Sequence, residues 1–290
     1  MQKLLICGCS GLVGSDFIQK LSHRHIPFGE VVCTYHRLPP AFLPCFSYIQ
    51  VVDLASPLEW HKIFSRFRPT AIILLSNIRH FFPLSKVLPL YFSESNLPRL
   101  IIVGTTGVYS RYPEYSGVYK KLESLIDQYP GSSCLLRPSM IYGSIRDYNI
   151  HKVVSFIKLF RCYIIFGDGQ SLMQPVFYAD ISDMITTVLM NSSVIGCYNL
   201  PGKYCMLYVD IVSEIFKALG IRTRILYVPI WIPYLALSLL PHFIRSRLPV
   251  SLEQVKRLAE DKAFNYCNSK EELGYSPLDF RSGIHRQIYF

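Results

Sequence analysis

Residues 115–124, YSGVYKKLES, combine two tyrosines with two lysines on the predicted first turns of a helix. A phenol and an ammonium group side by side form an acid/base combination suited to proton transfer. Side chains on a helix meet when they are three or four residues apart, so Tyr115 and Tyr119 meet, whereas Tyr115 and Lys120 miss this spacing by one residue. The segment is therefore either a proton-transfer site with irregular spacing or a solvated helix end without chemistry.

The composition indicates a globular protein with a sizeable core, because the chain has 290 residues and half of them are apolar. Its formal charge of +10 suits an anionic partner such as a dinucleotide, a nucleotide sugar or a membrane surface. We expect no nucleic-acid partner, since the basic residues are dispersed and form no aromatic-rich basic stripe. The nine cysteines and eight histidines show no metal-binding spacing, so we expect no metal site and reduced thiols in a cytoplasmic protein.

Short apolar segments alternate with amphipathic ones over the first half of the chain, a pattern that predicts a parallel sheet covered by helices on both faces. The predicted strands are KLLICG, EVVCTY, YIQVVDL, TAIILLS, RLIIVGTT and CLLRP, and the predicted helices between them are GSDFIQKLSHR, PLEWHKIFSRF, PLYFSESN and KKLESLIDQY. After Pro138 helices predominate. We therefore expect a first domain in residues 1–140, completed by segments around 170–200, and a second, smaller lobe in residues 141–290.

The most apolar part of the chain is ILYVPIWIPYLALSLL, residues 225–240, which has a pair of arginines on each side. At 16 residues, with two internal prolines, it is short for a transmembrane helix. A buried helix that packs between the lobes is the first interpretation. The alternative is a segment on a membrane surface, with residues 225–247 in contact with lipid and the arginines as anchors.

Gly8, Gly11 and Gly14 lie directly between a predicted strand and a predicted helix, in the sequence LLICGCSGLVGSDFIQKL. In this position one glycine allows a tight turn, a second lets a pyrophosphate approach the backbone, and a third lets helix and strand pack closely. The helix then directs its unpaired N–H groups and positive dipole end at the phosphates. The pattern predicts dinucleotide binding, with further cofactor contacts from other residues of the turn, Ser10, Leu12 and Val13.

The ends of the next strands indicate which dinucleotide is bound. Where an acidic residue would hold the ribose 2′-hydroxyl of NAD, the second strand is followed by Arg37, whose guanidinium matches the 2′-phosphate of NADP. We therefore favour NADP over NAD, the alternative being that Arg37 is a solvated loop residue. Asp53, after the third strand, is a candidate partner of the adenine amino group. Leu54 and Ser76 are expected to line the same cofactor site.

Several motifs, in order, resemble those of the extended or atypical short-chain dehydrogenase/reductases, the NAD-dependent epimerase/dehydratase group. GCSGLVG resembles the glycine fingerprint of that family, VVDL its Asp-Leu after the third strand, and VGTTGVYS its Ser-Ser-x-x-Val-Tyr-Gly. LLRPSMIYGS resembles its Leu-Arg-Pro-x-x-x-Tyr-Gly-Pro, and GDGQSLMQPVFYADISDMI its Gly-Asp-Gly, Pro-Val and Asp signature. EDKAFNYCNSKEELGYSP resembles its C-terminal Asp, Ser-Lys and Glu-Leu-Gly-Tyr-x-Pro.

The resemblance implies a Rossmann-type sheet with a smaller C-terminal substrate lobe, and an NAD(P)-dependent oxidoreductase or epimerase acting on nucleotide-linked sugars by hydride transfer. It implies that a tyrosine exchanges a proton with the substrate and that a Ser or Thr polarises the carbonyl. A lysine four residues after the tyrosine would lower its pKa and hold the nicotinamide ribose. The matching residues are Thr105, Tyr115 and Lys120.

The tyrosine and lysine do not fit the family's Tyr-Gly-x-Ser-Lys-x-x-x-Glu motif. With Lys120 as the lysine, the tyrosine place falls on Ser116, and Tyr115 and Glu123 each come one residue early. Three explanations remain open. The helix starts late and Tyr115 reaches Lys120 from a turn, or Tyr119 faces the cleft instead, or the catalytic tyrosine has been lost.

Three further residues are candidates for structural roles. Arg137 is expected to form an organising ion pair, and Tyr142 and Asn199 either line the substrate cleft or pack in the core.

We expect an enzyme that acts on a nucleotide sugar or related keto-sugar and favours net reduction, because NADPH is the usual reductant. If residues 225–247 contact a membrane, the sugar is expected to be linked to a lipid and the enzyme to lie at the inner membrane face. The alternative is a non-catalytic NAD(P)-binding member with a structural or sensing role, which the displaced tyrosine favours. Homodimers are common in the family, but nothing in the sequence specifies one.

Overall fold

The computed structural model describes residues 2–37, 43–232, 234–235 and 257–289. Its strands are β1 (Lys3–Cys7), β2 (Glu30–Tyr35), β3 (Ser47–Gln50), β4 (Ala71–Leu74), β5 (Arg99–Val103), β6 (Ser133–Pro138), β7 (Ile141–Tyr142), β8 (Tyr163–Phe166), β9 (Leu172–Met173), β10 (Val176–Phe177), β11 (Gly196–Leu200), β12 (Met206–Leu207) and β13 (Ile225–Val228). Its helices are α1 (Leu12–Ser22), α2 (Pro57–Arg66), α3 (Phe81–Tyr91), α4 (Pro113–Asp127), α5 (Ile150–Phe160), α6 (Tyr178–Met190), α7 (Tyr208–Ala218), α8 (Cys267–Leu273) and α9 (Phe280–Tyr289). Short 3-10 turns span Ile78–His80, Glu94–Asn96, Thr106–Tyr109 and Arg257–Ala259.

Seven of these strands form one sheet in the order β11-β6-β5-β4-β1-β2-β3, and every neighbouring pair is parallel. The centres of β1, β2, β4, β5 and β6 are apolar and buried, and Leu4, Leu5 and Ile6 of β1 are 0% exposed, whereas the edge strand β3 has no buried residue. The chain runs outward from β1 to β3 and then returns to place β4 on the other side of β1. This reversal opens a crevice at the carboxyl ends of β1 and β4, where ligands of such sheets bind. The predicted α/β fold with a Rossmann-type, doubly wound parallel sheet is confirmed.

Apolar clusters cover both faces of the sheet. One cluster joins α1 and α6 to the sheet through side chains such as Phe17 and Ile185, and another joins α2, α3 and α4 through side chains such as Trp60 and Phe81. In a third cluster, α5, α7 and α9 pack around side chains such as Phe216. This third cluster belongs to the chain beyond β6, where a separate lobe was expected. The boundary at residue 140 stays a prediction.

Two predicted helices differ from the structure. The helix predicted at residues 89–96 is instead α3, Phe81–Tyr91, followed by a short 3-10 turn. Pro89 lies inside α3, although proline usually marks the start of a helix because it has no N–H to donate. The helix predicted from residue 225 is wrong for its first part, since Ile225–Val228 is β13, paired in parallel with β8. Residues 236–256 lie outside the described part of the chain.

Within the described residues, no helix has the length and apolar character that crossing a membrane requires. The nine cysteines all fall in this part of the chain and all are free. Cys7, Cys9, Cys33 and Cys134 are buried. Among the same residues, no group of His, Cys, Asp and Glu is arranged to hold a metal ion.

Candidate active site

The glycine turn joins β1 to α1 at the crevice between β1 and β4. Gly8 has a φ of 93°, in the left-handed region, and a Cβ atom there would lie 2.8 Å from the backbone nitrogen of Ser76. A Cβ atom on Gly14 would lie 2.3 Å from the carbonyl oxygen of Gly8, so only glycine lets α1 come this close to the turn. Gly11 precedes α1 in extended conformation without a side-chain hydrogen bond to the helix, which leaves the first N–H groups for a ligand. The turn therefore fits a dinucleotide pyrophosphate.

An arginine from a distant part of the sequence borders this turn, in which Ser10, Leu12 and Val13 are partly exposed. Arg146 donates a hydrogen bond from Nη2 to the carbonyl oxygen of Ser10, 136 residues away in the sequence. Its guanidinium adds positive charge to a turn that already presents N–H groups, which favours an anionic ligand. No local sequence motif marks Arg146, so this arginine is not among the predicted site residues.

The other predicted cofactor residues follow strands that end at the same edge of the sheet. Arg37 is exposed beyond β2 and donates from Nε to Nε2 of His36 at 3.1 Å. Asp53 is exposed beyond β3, whereas the side chain of Leu54 is 5% exposed and packs in the core, and the cofactor contact of Leu54 stays a prediction. Ser76 is partly exposed beyond β4. Cofactor contacts by Arg37, Asp53 and Ser76 stay predictions.

The turn after β5 carries the residue predicted to polarise a carbonyl. Thr105 is partly exposed, and its Oγ1 accepts a hydrogen bond from the backbone N–H of Gly107 at 3.0 Å. Thr106 is buried and donates its own proton to the carbonyl oxygen of Pro138 at 3.3 Å. No described residue accepts the hydroxyl proton of Thr105, so this proton is available to a ligand.

Tyr115 lies on α4 with its phenol ring against the same turn. α4 begins at Pro113, so Tyr115 is helical and the explanation that the helix starts late is wrong. A Cβ atom on Gly107 would lie 2.8 Å from Cε1 and 3.0 Å from the hydroxyl oxygen of Tyr115. Gly107 therefore contacts both Thr105 and Tyr115, so the two side chains predicted to act on one substrate oxygen meet at a single backbone position.

Lys120 does not lie beside Tyr115 in the structure, although the resemblance assigned both residues to the catalytic group. The two residues are five apart on a continuous helix, about 140° apart around its axis, and Lys120 is exposed. The inward face of α4 instead carries Tyr115, Tyr119 and Glu123 at intervals of four residues. The rings of Tyr115 and Tyr119 meet edge to face with their centroids 5.2 Å apart. Against the family's motif, this register puts Tyr119 in the lysine place and Glu123 in the glutamate place.

Two arginines bring positive charge to this pair of phenols. The guanidinium of Arg257 lies over the ring of Tyr115, 3.2 Å from the ring centroid. Burial raises the pKa of Tyr119 and the neighbouring Tyr115 raises it further, whereas the charges of Arg79 and Arg257 act in the opposite direction. Neither arginine belongs to a recognisable sequence motif, so neither is among the predicted site residues.

Glu123 forms the expected ion pair with Arg137 at the end of β6. The pair is bidentate, with N–O distances of 2.7 and 2.9 Å, and is largely buried. Burial alone would lower the pKa of Arg137, but hydrogen bonding to Glu123 outweighs burial and the pKa is raised. The hydroxyl of Tyr109 accepts from Arg137 at 3.1 Å and donates to Oδ1 of Asn199 at 3.0 Å. Asn199 thus belongs to this polar network, whereas Tyr142 is a core residue with 0% exposure.

No protein-family model and no curated protein sequence matches the chain. Solved structures match it over nearly its whole length. The dTDP-glucose 4,6-dehydratase of Bacillus anthracis, solved in complex with NAD, is 16% identical with a TM-score of 0.71, and the match covers 99% of this chain and 96% of that one. The UDP-glucose 4-epimerase of Thermotoga maritima, solved with UDP-glucose, is 14% identical with a TM-score of 0.73, covering 99% and 97%. The UDP-glucuronic acid 4-epimerase of Bacillus cereus, solved with NAD, is 16% identical with a TM-score of 0.72, covering 99% and 97%.

At this level of identity the likeness shows the fold. The chain has the architecture of a dinucleotide-binding α/β protein with a glycine turn at the switch point of its sheet. More particularly, it shares its fold with the dTDP-glucose 4,6-dehydratase and the two epimerases, which agrees with the fold that the sequence resemblance implied.

Proposed function

We propose that this chain is an NAD(P)-dependent oxidoreductase or epimerase that acts on a nucleotide-linked sugar by hydride transfer. The observation that carries the proposal is the meeting of Thr105 and Tyr115 at Gly107, on the sheet edge that also holds the glycine turn. A hydroxyl donor and a phenol beside a dinucleotide cradle are groups that suit reaction at a sugar carbonyl. The structural neighbours support it, since two were solved with NAD and one with UDP-glucose.

The residues have distinct roles in this mechanism. A bound nicotinamide supplies or accepts the hydride at the sugar carbon. The N–H groups of α1 hold the pyrophosphate, and the hydroxyl of Thr105 donates a hydrogen bond to the sugar oxygen. In the reducing direction the O–H bond of Tyr115 breaks, its proton moves to the sugar oxygen, and the electron pair stays on the phenol as a phenolate. In the oxidising direction the phenolate takes this proton back.

The cofactor is proposed to be NADP rather than NAD. Arg37 supports this preference, because its exposed guanidinium follows β2, where a 2′-phosphate requires a cation. Fluorescence titrations of the purified protein with NADPH and with NADH test it. Arg37→Ala is expected to weaken NADPH binding about tenfold or more while changing NADH binding little. Equal affinity of the unaltered protein for both cofactors would contradict the preference.

Turnover of keto-sugar nucleotides tests the function itself. Tyr115→Phe keeps the ring and removes the proton, so turnover is expected to fall at least about 100-fold with cofactor affinity unchanged. Tyr289→Phe is the matched control, because this hydroxyl donates to the carbonyl oxygen of Ala218 outside the site. Intact cofactor binding without any turnover would favour the alternative, a non-catalytic NAD(P)-binding protein. Tyr119 in the lysine place is the observation that supports this alternative.

We also propose that the protein contacts a cytoplasmic membrane face peripherally, where a lipid-linked sugar would be presented. Leu226, Tyr227 and Trp231 are exposed and lie close in sequence to the exposed Arg222 and Arg224. Apolar and aromatic side chains with neighbouring arginines suit an anionic bilayer surface. Cosedimentation with phosphatidylglycerol vesicles tests the contact, phosphatidylcholine vesicles being the control. Trp231→Ser should weaken the binding, and failure to bind the anionic vesicles would dismiss the contact.

A further inference from the structure

The proposed proton transfer leaves a negative charge on Tyr115, and α4 supplies no cation to balance it. The residue one helical turn after Tyr115 is Tyr119, whose phenol is neutral at ordinary pH. Lys120 and Lys121 are exposed on the other side of the helix. A phenol without a neighbouring cation ionises only near pH 10, about three units above neutrality.

Arg257 places a cation beside Tyr115. Its guanidinium carbon is 3.2 Å from the centroid of the Tyr115 ring, which is direct contact between the cation and the ring face. Its side chain is only 16% exposed, so solvent screens its charge weakly. A guanidinium also stays charged over the whole range in which an enzyme works, unlike an ammonium group in a partly buried site.

Arg257 is held in this place by a buried carboxylate. Nε of Arg257 lies 3.5 Å from Oε2 of Glu260, whose side chain is 8% exposed. Glu260 in turn accepts hydrogen bonds from the hydroxyl of Ser110 at 2.8 Å and from the backbone N–H of Arg111 at 2.8 Å. Ser110 directly follows the 3-10 turn that contains Gly107. The arginine is thus fixed to the same turn against which Tyr115 packs.

We propose that Arg257 is a positioning residue that supplies the positive charge stabilising the Tyr115 phenolate, in the place of the absent lysine. This inference rests on the proposed function, because only proton transfer gives the phenolate a role. The groups that face the two phenols or the arginine are Tyr119 on α4, Arg79 after β4, and Glu260 and Lys262 beyond the last 3-10 turn. The negative charge of Glu260 partly offsets the stabilisation of the phenolate by Arg257. Arg79 is exposed, so its positive charge adds only weakly to this stabilisation.

The ionisation of Tyr115 can be measured without cofactor or substrate. Carbon-13 NMR of protein labelled at the tyrosine Cζ atoms follows each phenol through a pH titration, and Tyr115→Phe identifies the resonance of Tyr115 by its loss. The pH at which this resonance changes is the quantity compared between variants. Arg257→Gln should move the transition upward by about 1 to 3 pH units, and Arg257→Lys should restore most of the shift.

A second variant tests whether the charge itself is what matters. Tyr119→Lys, made in the Arg257→Gln protein, puts an ammonium group one turn after Tyr115 and should lower the transition again. Turnover should follow the same order, with the basic limb of its pH profile moving together with the NMR transition. An unchanged transition in Arg257→Gln would overturn the inference. If that variant does not fold, Arg257→Met, which also removes the charge, takes its place, and an unchanged Tyr115 transition there overturns the inference equally.

The titration separates this inference from the proposed function. A protein without turnover, in which Arg257 nevertheless governs the ionisation of Tyr115, would keep the charge relationship and refute the enzyme. A protein with turnover, in which Arg257→Gln changes neither the transition nor the pH profile, would keep the enzyme and refute the role of Arg257.

Discussion

Gly107 lies so close to Tyr115 that a methyl group on it would come within 2.8 Å of Cε1 of the phenol ring. The ring is the end of a side chain and can move, so Gly107→Ala is expected to displace Tyr115 without unfolding the protein. We expect turnover to fall about tenfold to 100-fold, because a displacement of about 1 Å is costly for proton transfer. Steady-state kinetics and a thermal melt check this. Unchanged turnover would show that the phenol position is unimportant.

Lys120→Ala is expected to leave turnover within about twofold of the unaltered protein, because the Lys120 side chain is exposed on the outer side of α4. Lys121→Ala, on the same exposed side, is the matched control. Kinetics of both variants under the same conditions provide the measurement. A large loss confined to Lys120→Ala would mean that this lysine enters the site when ligands bind.

Gly14→Ala should abolish cofactor binding and destabilise the fold, because the new Cβ atom would lie 2.3 Å from the carbonyl oxygen of Gly8 and 2.9 Å from Cα of Cys9. Neither neighbour is a flexible side chain, so the turn or α1 must shift. Gly117→Ala is the control: nothing lies within 4 Å of its added methyl group, and alanine inside a helix should stabilise by about 0.5–1 kcal/mol. Denaturant unfolding should therefore show opposite changes in stability for the two variants, and NADPH titration should show a loss of binding for Gly14→Ala alone.

Breaking the pair of Glu123 and Arg137 is expected to lower the free energy of unfolding by about 3–5 kcal/mol, because Glu123→Ala leaves a largely buried guanidinium unpaired. The exposed pair of Lys3 and Glu30, with side chains 40% and 45% exposed, is the comparison. Glu30→Ala should cost only about 0–1 kcal/mol. Equal losses in the two variants would contradict the importance of burial.

The stability of the protein should depend on pH through Asp180. Burial raises the pKa of this carboxyl from 3.8 to about 6, although the backbone N–H of Leu278 donates to it and opposes the rise. Since the folded value lies above the unfolded one, stability present at low pH is lost as pH rises. The free energy of unfolding should fall between pH of about 4 and about 6 and then level off. The Asp180→Asn variant should lack this fall. An identical dependence of the unfolding free energy on pH in the variant and in the unaltered protein would refute the role of Asp180.

The local parts of the fold were predictable from the sequence. The strand centres are apolar throughout, and Gly8, Gly11 and Gly14 stand between a strand and a helix that are adjacent in sequence. Such features depend on neighbouring residues alone. Pro89 misled the prediction of α3, because a proline inside a helix is uncommon and packing of the surrounding apolar residues overrides its cost.

The alignment of α4 with the family's motif was harder to predict, since it depends on which residue of the helix is matched first. Anchoring on Lys120 displaced Tyr115 and Glu123, whereas the structure shows these two residues eight apart on one face of the helix. The eight-residue spacing of Tyr115 and Glu123 matches the spacing of tyrosine and glutamate in the family's motif. This spacing alone could have predicted the register. Arg146 and Arg257 could not be predicted in this way, because each reaches the site from a distant part of the sequence.

The hydrogen bond between Glu260 and Ser110 joins residues 150 apart in the sequence, and Ser269 likewise donates to the carbonyl oxygen of Asn199 at 2.6 Å. During synthesis, domains generally fold as units. The turn beside Thr105 is tied to Glu260 only after that residue has left the ribosome. A nascent chain would thus lack this anchor of the proposed site until residue 260 has been synthesised.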